Sequence, residues 1–381
     1  MQHKGPMLSI IVPTFNEASN VRLLVGRLET ILSDIDWEVI FVDDNSPDGT
    51  SGVIRSIGRD QGQVRCLQRI GRRGLSTACI EGMLASSAPY LAIMDCDFQH
   101  DPAVLRKMYS LLESGDAELV VGSRYVDGGG YGNFSESRYR LSKTATSIGR
   151  LLIQQKIMDP MSNYFALRRE LFDEVAGELS GLSFKILLDL LLTARRAVRF
   201  REVPIVLGER SVGESKFEML VAWEFALLLA DKTVGRYVPV RTLALLGNGA
   251  ALATIFLCLF AVAYKGVGLG FTPAGIVAVA VTMIAGYAIS NMMRSGDRRR
   301  HGFGWLGALL SFTLVNSIGA AANLALSTYL YGSGVEWLDA AAAGALLWLA
   351  WDVTGSSSQR WGLGHYFFGV RLGHRKLSLG P

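Results

Sequence analysis

Tyr90-Leu91-Ala92-Ile93-Met94-Asp95-Cys96-Asp97-Phe98-Gln99-His100-Asp101-Pro102 is the stretch from which the rest of the chain is read. An uninterrupted apolar run of strand length ends in two carboxylates one residue apart, and a proline then opens a helical pattern. A strand of this kind delivers charge to its own carboxyl end, which in open α/β sheets borders the crevice where ligands sit. The spacing lets Asp95 and Asp97 bend toward one hard cation, with the amide oxygen of Gln99 as a neutral third ligand. Such a cation, Mg²⁺ or Mn²⁺, would keep some waters and take its remaining ligands from phosphate oxygens. A solvated acidic loop has the same spacing, so the surrounding sequence has to decide.

The chain has 381 residues, half of them hydrophobic, and the apolar excess is unevenly spread. Up to about Leu220 charged and apolar residues mix as in a globular domain; from Thr242 onward there are long, nearly uncharged blocks. One part therefore reads as soluble and the other as embedded in lipid. The four cysteines, Cys66, Cys79, Cys96 and Cys258, lack metal-ligand spacing and read as reduced packing residues. A net charge of +4 is modest, and no nucleic-acid partner is expected. Met1 to Pro6 carry no apolar signal-type segment, so the soluble half is expected on the cytoplasmic side.

In chain order, Leu8 to Pro13 reads as a buried strand, followed by Thr14-Phe15-Asn16-Glu17 and a helix from Ala18 to about Leu32. Trp37 to Val42 is a second strand running into Asp43-Asp44-Asn45-Ser46-Pro47-Asp48-Gly49-Thr50. Strand and helix alternate again through Val64 to Gln68, Ser76 to Ala85, the central strand, and Leu119 to Gly122. The rhythm predicts an α/β domain with a mixed, mainly parallel sheet and helices on both faces. It lines one crevice with Pro13 to Glu17, Asp43-Asp44, Asp95 to Gln99 and Ser123-Arg124. Gly71-Arg72-Arg73-Gly74 before a helix suits either a phosphate or a tight turn; it is not a P-loop, since no Gly-Lys-Ser/Thr follows.

Taken together, Pro13 to Glu17, Val42 to Thr50, Gly74-Leu75 through Gly82, Asp95 to Pro102 and Gly122-Ser123-Arg124-Tyr125 resemble the successive signatures of a family 2 glycosyltransferase of GT-A (Rossmann-like) fold. Within that family the chain is most similar to the dolichol-phosphate (polyprenyl-phosphate) mannose synthases, over roughly Leu8 to Phe217. The resemblance implies that Pro13, Phe15, Glu17, Val42 and Asp44 bind the base and ribose of a nucleotide sugar. It implies that Asp95, Asp97 and Gln99 bind the metal and the diphosphate. Two departures fall at Ser76 and at Ser162-Asn163-Tyr164, where the family commonly has glycine. The second lies near the expected acceptor region.

Val126 to Gly132 is glycine-rich and reads as a mobile flap or a surface loop. Arg124, Arg138, Arg140, Ser142, Arg210, Ser215 and Lys216 are the candidates for an anionic acceptor head, because a phosphate needs a guanidinium fork or an ammonium. The Arg210-x-x-Gly-x-Ser215-Lys216 arrangement also matches the family pattern. Ser183 to Ala194, with Asp189 among leucines, reads as a core or membrane-facing helix. Residues 218–240 read as an interfacial helix or a plain linker.

Four membrane spans are expected after it: Thr242 to Tyr264, Pro273 to Met293, Trp305 to Tyr331 and Leu338 to Thr354. The expected division is thus 1–217 transferase, 218–240 linker, 241–355 an all-α four-helix membrane domain resembling the GtrA-like type, and 356–381 a basic tail. Basic residues cluster at Arg236 and Arg241, at Arg294 and Arg298 to Arg300, and beyond Arg360, so both termini are expected in the cytoplasm. Asn291, Asn316 and Asn323 read as polar glue between helices.

The resemblance implies inverting transfer of mannose from GDP-mannose to a polyprenyl monophosphate in the bilayer. An ionised phosphate nucleophile needs orienting more than deprotonating, so no His or Glu base is demanded. The alternatives are a different donor such as UDP-glucose, or a lipid-linked-sugar translocator. Processive polymer synthesis is disfavoured by the missing Q-x-x-R-W motif. A homo-oligomer is compatible with all of these.

Overall fold

The computed structural model describes residues 5–132, 136–153, 155–182, 184–208, 218–235, 237–238, 240–292 and 302–357. For 136–142, 218–222, 241, 292 and 352–357 the description is of the backbone. The chain divides into two compact units, the first running to Lys232 and the second beginning at Thr233.

The first unit is built on a sheet of seven strands: β1 (Leu8–Thr14), β2 (Trp37–Asp43), β3 (Val64–Gln68), β4 (Tyr90–Ile93), β5 (Leu119–Ser123), β6 (Phe165–Arg168) and β7 (Phe200–Pro204). Their spatial order is β3-β2-β1-β4-β6-β5-β7. Every pairing is parallel except those of β6, which runs antiparallel to both β4 and β5. The expected mixed, mainly parallel sheet is therefore present.

Alternate residues of each strand face opposite sides and feed two cores. Ile10, Val12, Val39, Phe41 and Val120 pack on one face. Against them lie α1 (Ala18–Ile31), α2 (Thr50–Asp60) and α4 (Val104–Glu113). In α1 the buried positions Val21, Leu24, Val25 and Leu28 repeat as an amphipathic helix requires. Ile11, Ile40, Val42, Ile93 and Val121 face the other side. There they meet α3 (Leu75–Leu84), α6 (Arg169–Val175), α7 (Ile186–Thr193) and α8 (Glu218–Thr233). A further helix, α5 (Glu136–Leu152), follows β5.

The leucine-rich segment around Asp189 is α7, and of its two sequence readings it is the core one: Ile186 to Leu188 and Leu190 are fully buried. Asp189 is buried with them, and its carboxylate accepts hydrogen bonds from Ser180 N (2.9 Å), Ser180 Oγ (2.8 Å) and Gly181 N (3.2 Å). The Lys232 ammonium completes the set at 2.7 Å. Lys232 also donates to the Glu178 carbonyl and to Thr193 Oγ1. With Leu228 wholly buried beside Phe225 and Leu229, helix α8 is thus docked on the sheet unit by both apolar and ionic contacts.

Cys79 and Cys96 are buried and all four cysteines are free. Burial pushes both of those thiols well up from the usual range, so they are packing groups.

The second unit contains α9 (Val240–Ala261), continued by a π turn at Val262–Gly266, then α10 (Phe271–Met292), α11 (Gly302–Gly332) and α12 (Trp337–Ser357). Among the described residues three helical segments are long and apolar enough to cross a membrane: Thr242–Gly266, Phe271–Asn291 and Gly302–Gly332. The apolar part of α12, Trp337–Trp351, is shorter. Helices α11 and α12 approach closely at Gly344, where a Cβ would stand 2.2 Å from Asn323 Oδ1. Asn323 is fully buried, and neither polar atom of its side chain has a hydrogen-bond partner among the described residues. Asn316 donates to Phe312 O within its own helix at 2.8 Å. Of the expected polar glue, then, Asn323 acts as a close packing contact and Asn316 bonds locally. In this unit Phe271 stacks on Tyr331, Tyr264 meets Phe271 edge-on and lies tilted against Trp337, and the Lys265 ammonium lies 5.2 Å and 5.6 Å from the Tyr264 and Trp337 rings.

Candidate active site

β1 is flanked by β2 on one side and β4 on the other, so the order of strands reverses between β1 and β4. Such a switch point opens a crevice at the carboxyl ends, because the connections leave in opposite directions. The residues that follow β1 and β4 are Phe15 to Glu17 and Asp95 to Gln99, the two clusters singled out from sequence.

The chain turns sharply at these ends. Asn16, Asn45 and Phe98 have φ of 62°, 58° and 61°, a left-handed conformation that Asn accepts and that strains a bulky residue such as Phe. The turns are held by their neighbours. Asn16 N donates to Ser46 Oγ, Glu17 N to Thr50 Oγ1 and Ala18 N to Asp48 Oδ2, while the Arg27 guanidinium lies 4.9 Å from the Phe98 ring.

Asp43 is buried and accepts from Ser46 N and Ser46 Oγ, which closes the turn after β2. Asp44 meets a residue that the sequence reading passed over. Arg69, only 1% exposed, donates to Asp44 Oδ1 through Nε (2.7 Å) and Nη2 (2.5 Å). It also donates to Thr77 Oγ1, the Gly74 carbonyl and Glu81. The other Asp44 oxygen accepts from Gly74 N at 2.9 Å. Gly74 is thus cross-braced to Asp44, and the segment before it brings the Arg73 guanidinium to 4.2 Å from the Phe15 ring. Pro13 is partly buried and Val42 wholly so, which makes Val42 a packing residue of the second core.

In the acidic loop, Asp97 is buried and its Oδ1 accepts from Gln99 N. Asp95 is about one-quarter exposed, and its backbone N–H donates to His100 Nδ1 at 3.3 Å. His100 stacks on Tyr164 with centroids 4.8 Å apart, and the Tyr164 hydroxyl donates to the Asp101 carbonyl. Burial pushes the imidazole pKa down to about 4, against the opposing charge of Asp97, so His100 is a neutral acceptor at pH 7. Gln99 exchanges contacts with Gly208: Gly208 N donates to Gln99 O at 2.9 Å and Gln99 Nε2 to Gly208 O at 3.4 Å.

Among the described residues no group of three His, Cys, Asp or Glu side chains could hold a metal ion, so the protein's own contribution at this loop is the pair of hard oxygen donors Asp95 and Asp97. That donor set fits a hexacoordinate cation such as Mg²⁺ or Mn²⁺ that completes its shell with phosphate oxygens and water.

Arg124 follows β5, and its guanidinium forms a bidentate pair with the fully buried Asp159: Nε to Oδ2 at 2.7 Å and Nη2 to Oδ1 at 2.7 Å. Burial works against the Arg124 charge, but the bonds and the charge of Asp159 outweigh it and hold its pKa above the usual value. Lys185 donates to the Met161 carbonyl at 3.1 Å. Burial and then the nearby Arg124 charge push its pKa down to about 8, opposed by Asp159 and Asp95. Asp159 and Lys185 were absent from the sequence reading.

The glycine-rich segment after Arg124 is stitched down on both sides. Gly130 N donates to Ile205 O and Leu207 N to Gly130 O, and a Cβ on Gly129 would stand 2.7 Å from the Ser123 carbonyl. The side chains of Arg138, Arg140 and Ser142 lie outside the described residues, as do Arg210, Ser215 and Lys216 entirely.

The family model for Glycosyl transferase family 2 matches residues 9–176. Dolichol-phosphate mannosyltransferase of Pyrococcus furiosus is 30% identical over 347 residues, which is 89% of this chain and 95% of that relative. The chain belongs to the family 2 glycosyltransferases of the dolichol-phosphate mannosyltransferase type. Polyprenol monophosphomannose synthase of Mycolicibacterium smegmatis is 35% identical over 54% of this transferase and 79% of its own length. Dolichol-phosphate mannosyltransferase of Saccharomyces cerevisiae is 32% identical over 60% and 88%. Among solved structures, glucosyl-3-phosphoglycerate synthase from Mycobacterium tuberculosis, with Mn²⁺, uridine diphosphate and phosphoglyceric acid, has a TM-score of 0.46 and 16% identity, covering 60% of this chain and 78% of that one.

Proposed function

We propose that this transferase moves mannose from GDP-mannose to a polyprenyl monophosphate, with inversion at the anomeric carbon and a divalent cation at Asp95 and Asp97. The observation that carries this reading is the reach of the match to a dolichol-phosphate mannosyltransferase. At 347 residues, 89% of the chain, it extends beyond Met1–Lys232 and into the apolar helices. A relative alike in both parts supports the same pairing of a water-soluble donor with a lipid acceptor.

The residues divide the work. Phe15 and Asp44, on the turns after β1 and β2, border the base and ribose, with Pro13 and Glu17 beside them. Asp95 and Asp97, with Gln99, hold a cation that, when bound, neutralises charge on the departing diphosphate. Arg124 supplies positive charge for the acceptor phosphate, joined by Arg138, Arg140, Ser142, Arg210, Ser215 and Lys216. A phosphate is already ionised near neutral pH, so these groups orient it for attack from the side opposite the diphosphate. The apolar helices anchor the chain in the bilayer as four spans of GtrA-like layout, with the transferase unit and both termini cytoplasmic.

The test is to supply purified protein in detergent micelles with GDP-mannose, UDP-glucose and other nucleotide sugars, together with a polyprenyl phosphate and Mg²⁺ or Mn²⁺. Mass spectrometry of the lipid product should show one added hexose from GDP-mannose. Asp97→Ala should abolish transfer while the protein melts as the wild type does. A glucolipid formed from UDP-glucose alone would overturn the donor, and full turnover by Asp97→Ala would remove the acid pair from the reaction.

A further inference from the structure

Glu202 lies in β7, opposite Val121 in the parallel ladder with β5. Nothing in its immediate sequence marks it, yet its two carboxylate oxygens accept from two consecutive backbone amides. Glu202 Oε2 takes Met158 N at 2.9 Å and Oε1 takes Asp159 N at 3.1 Å. Asp159 then holds Arg124 at three points, the two side-chain bonds described above and Arg124 N to Oδ2 at 3.1 Å. The carbonyl of Met158 accepts from Arg150 Nε at 2.9 Å, so the 158–159 turn is gripped from both its amide and its carbonyl sides. The Arg124 guanidinium faces Tyr131 and Tyr125 at 5.4 Å and 5.7 Å, which leaves it little freedom once Asp159 is placed.

We propose that Glu202 is a positioning residue for transfer: through the amides of Met158 and Asp159 it sets the carboxylate that aims Arg124 at the anionic acceptor. The role rests on the reading of Arg124 as an acceptor contact. The physical reason is economy of motion. A carboxylate that accepts two adjacent amides fixes both the position and the tilt of the turn, and a bidentate pair transmits that tilt to the guanidinium plane. Without it, two amides lose their acceptor and Asp159 can rotate with Arg124 still attached. The charge stays in place and its direction is lost.

Glu202→Gln keeps the size of the side chain and one acceptor oxygen. The expected result is a rise of about tenfold in KM for the polyprenyl phosphate, the size of losing one hydrogen bond to a charged group. KM for the nucleotide sugar, and the affinity for the nucleoside diphosphate with Mn²⁺ measured by calorimetry, should stay within about twofold. A merely structural residue would move both substrates together.

Arg124→Lys provides the second arm, since adding Glu202→Gln to it should change acceptor KM by less than about twofold, both acting through one group. Should Glu202→Gln melt far below the wild type, Glu202→Asp replaces it, with the same split between substrates expected at smaller size. An acceptor KM within twofold of the wild type, equal shifts in both KM values, or full additivity with Arg124→Lys each overturns the positioning role. A wild-type protein that transfers nothing to any polyprenyl phosphate overturns the reaction itself, and the positioning role with it.

Discussion

Replacing Arg69 by Met should cost the sheet unit a large share of its stability while leaving every strand residue untouched. Arg69 is 1% exposed, and its side chain bonds Asp44 twice, Thr77, Glu81 and the Gly74 carbonyl. Methionine fills a similar length without charge, so Asp44 is left with Gly74 N as its remaining partner among these bonds. Removing one partner of a buried ion pair costs about 3–5 kcal/mol. Because the Asp44 side chain keeps 13% exposure, the lower end applies, about 3 kcal/mol. For a unit of this size each kcal/mol moves Tm by about 2–4 °C, so a fall of about 6–12 °C is expected.

Arg69→Lys keeps the charge but not the fork and should lose about 1–2 kcal/mol. The double variant Arg69→Met with Asp44→Asn should recover part of the loss, since no charge is then stranded. Thermal unfolding of the purified protein in detergent gives the stability, and titration with guanosine diphosphate gives the effect on the turn that Asp44 shares with Gly74. If Arg69→Met melts within about 2 °C of the wild type, or if the double variant is simply the sum of its parts, the bracing role is refuted.

Lys232→Met strands the Asp189 carboxylate, which is 2% exposed, and should destabilise the sheet unit by about 3–5 kcal/mol; hydrogen exchange of α7 and α8 should report the loosening together. The Lys185 pKa is lowered in the fold to about 8 from 10.5. Between those values the unfolded chain binds more protons than the folded one, so stability contributed by this group rises with pH. The Tm of the wild type minus that of Lys185→Met should therefore increase from pH 7 to about pH 9.5, and a flat difference would contradict the burial of this ammonium.

Much of the first unit was legible because its signals are local. Runs such as Leu8 to Val12 and Trp37 to Val42 are apolar over a strand's length and end in polar clusters, and that pattern fixed both the strands and the crevice. β6 and β7 were harder. They are no shorter than β4 and β5, but they stand outside the strand–helix rhythm of the earlier residues, and their strand character comes from pairing with β4 and β5. The supporting residues of the site share that difficulty. Arg69, Asp159, Lys185 and Glu202 are single charges in unremarkable surroundings, and their roles arise from partners that are distant in sequence, as 159 and 202 are. A charge buried by tertiary contact and one on a wet surface look alike until the contact is seen. Asp189 gave a partial signal, as a lone carboxylate among leucines, but nothing nearby named Lys232 as its partner.

The left-handed turns at Asn16, Asn45 and Phe98 bear on how a mutational map of this enzyme should be interpreted. Side-chain replacement at these positions disturbs the chain's handedness before it disturbs any contact with substrate. A saturation library would therefore score them as intolerant even where their side chains touch nothing that reacts. Glycine is the informative substitution, because it accepts the same dihedral angles without a side chain. Activity retained there and lost with alanine would assign the sensitivity to the path of the backbone.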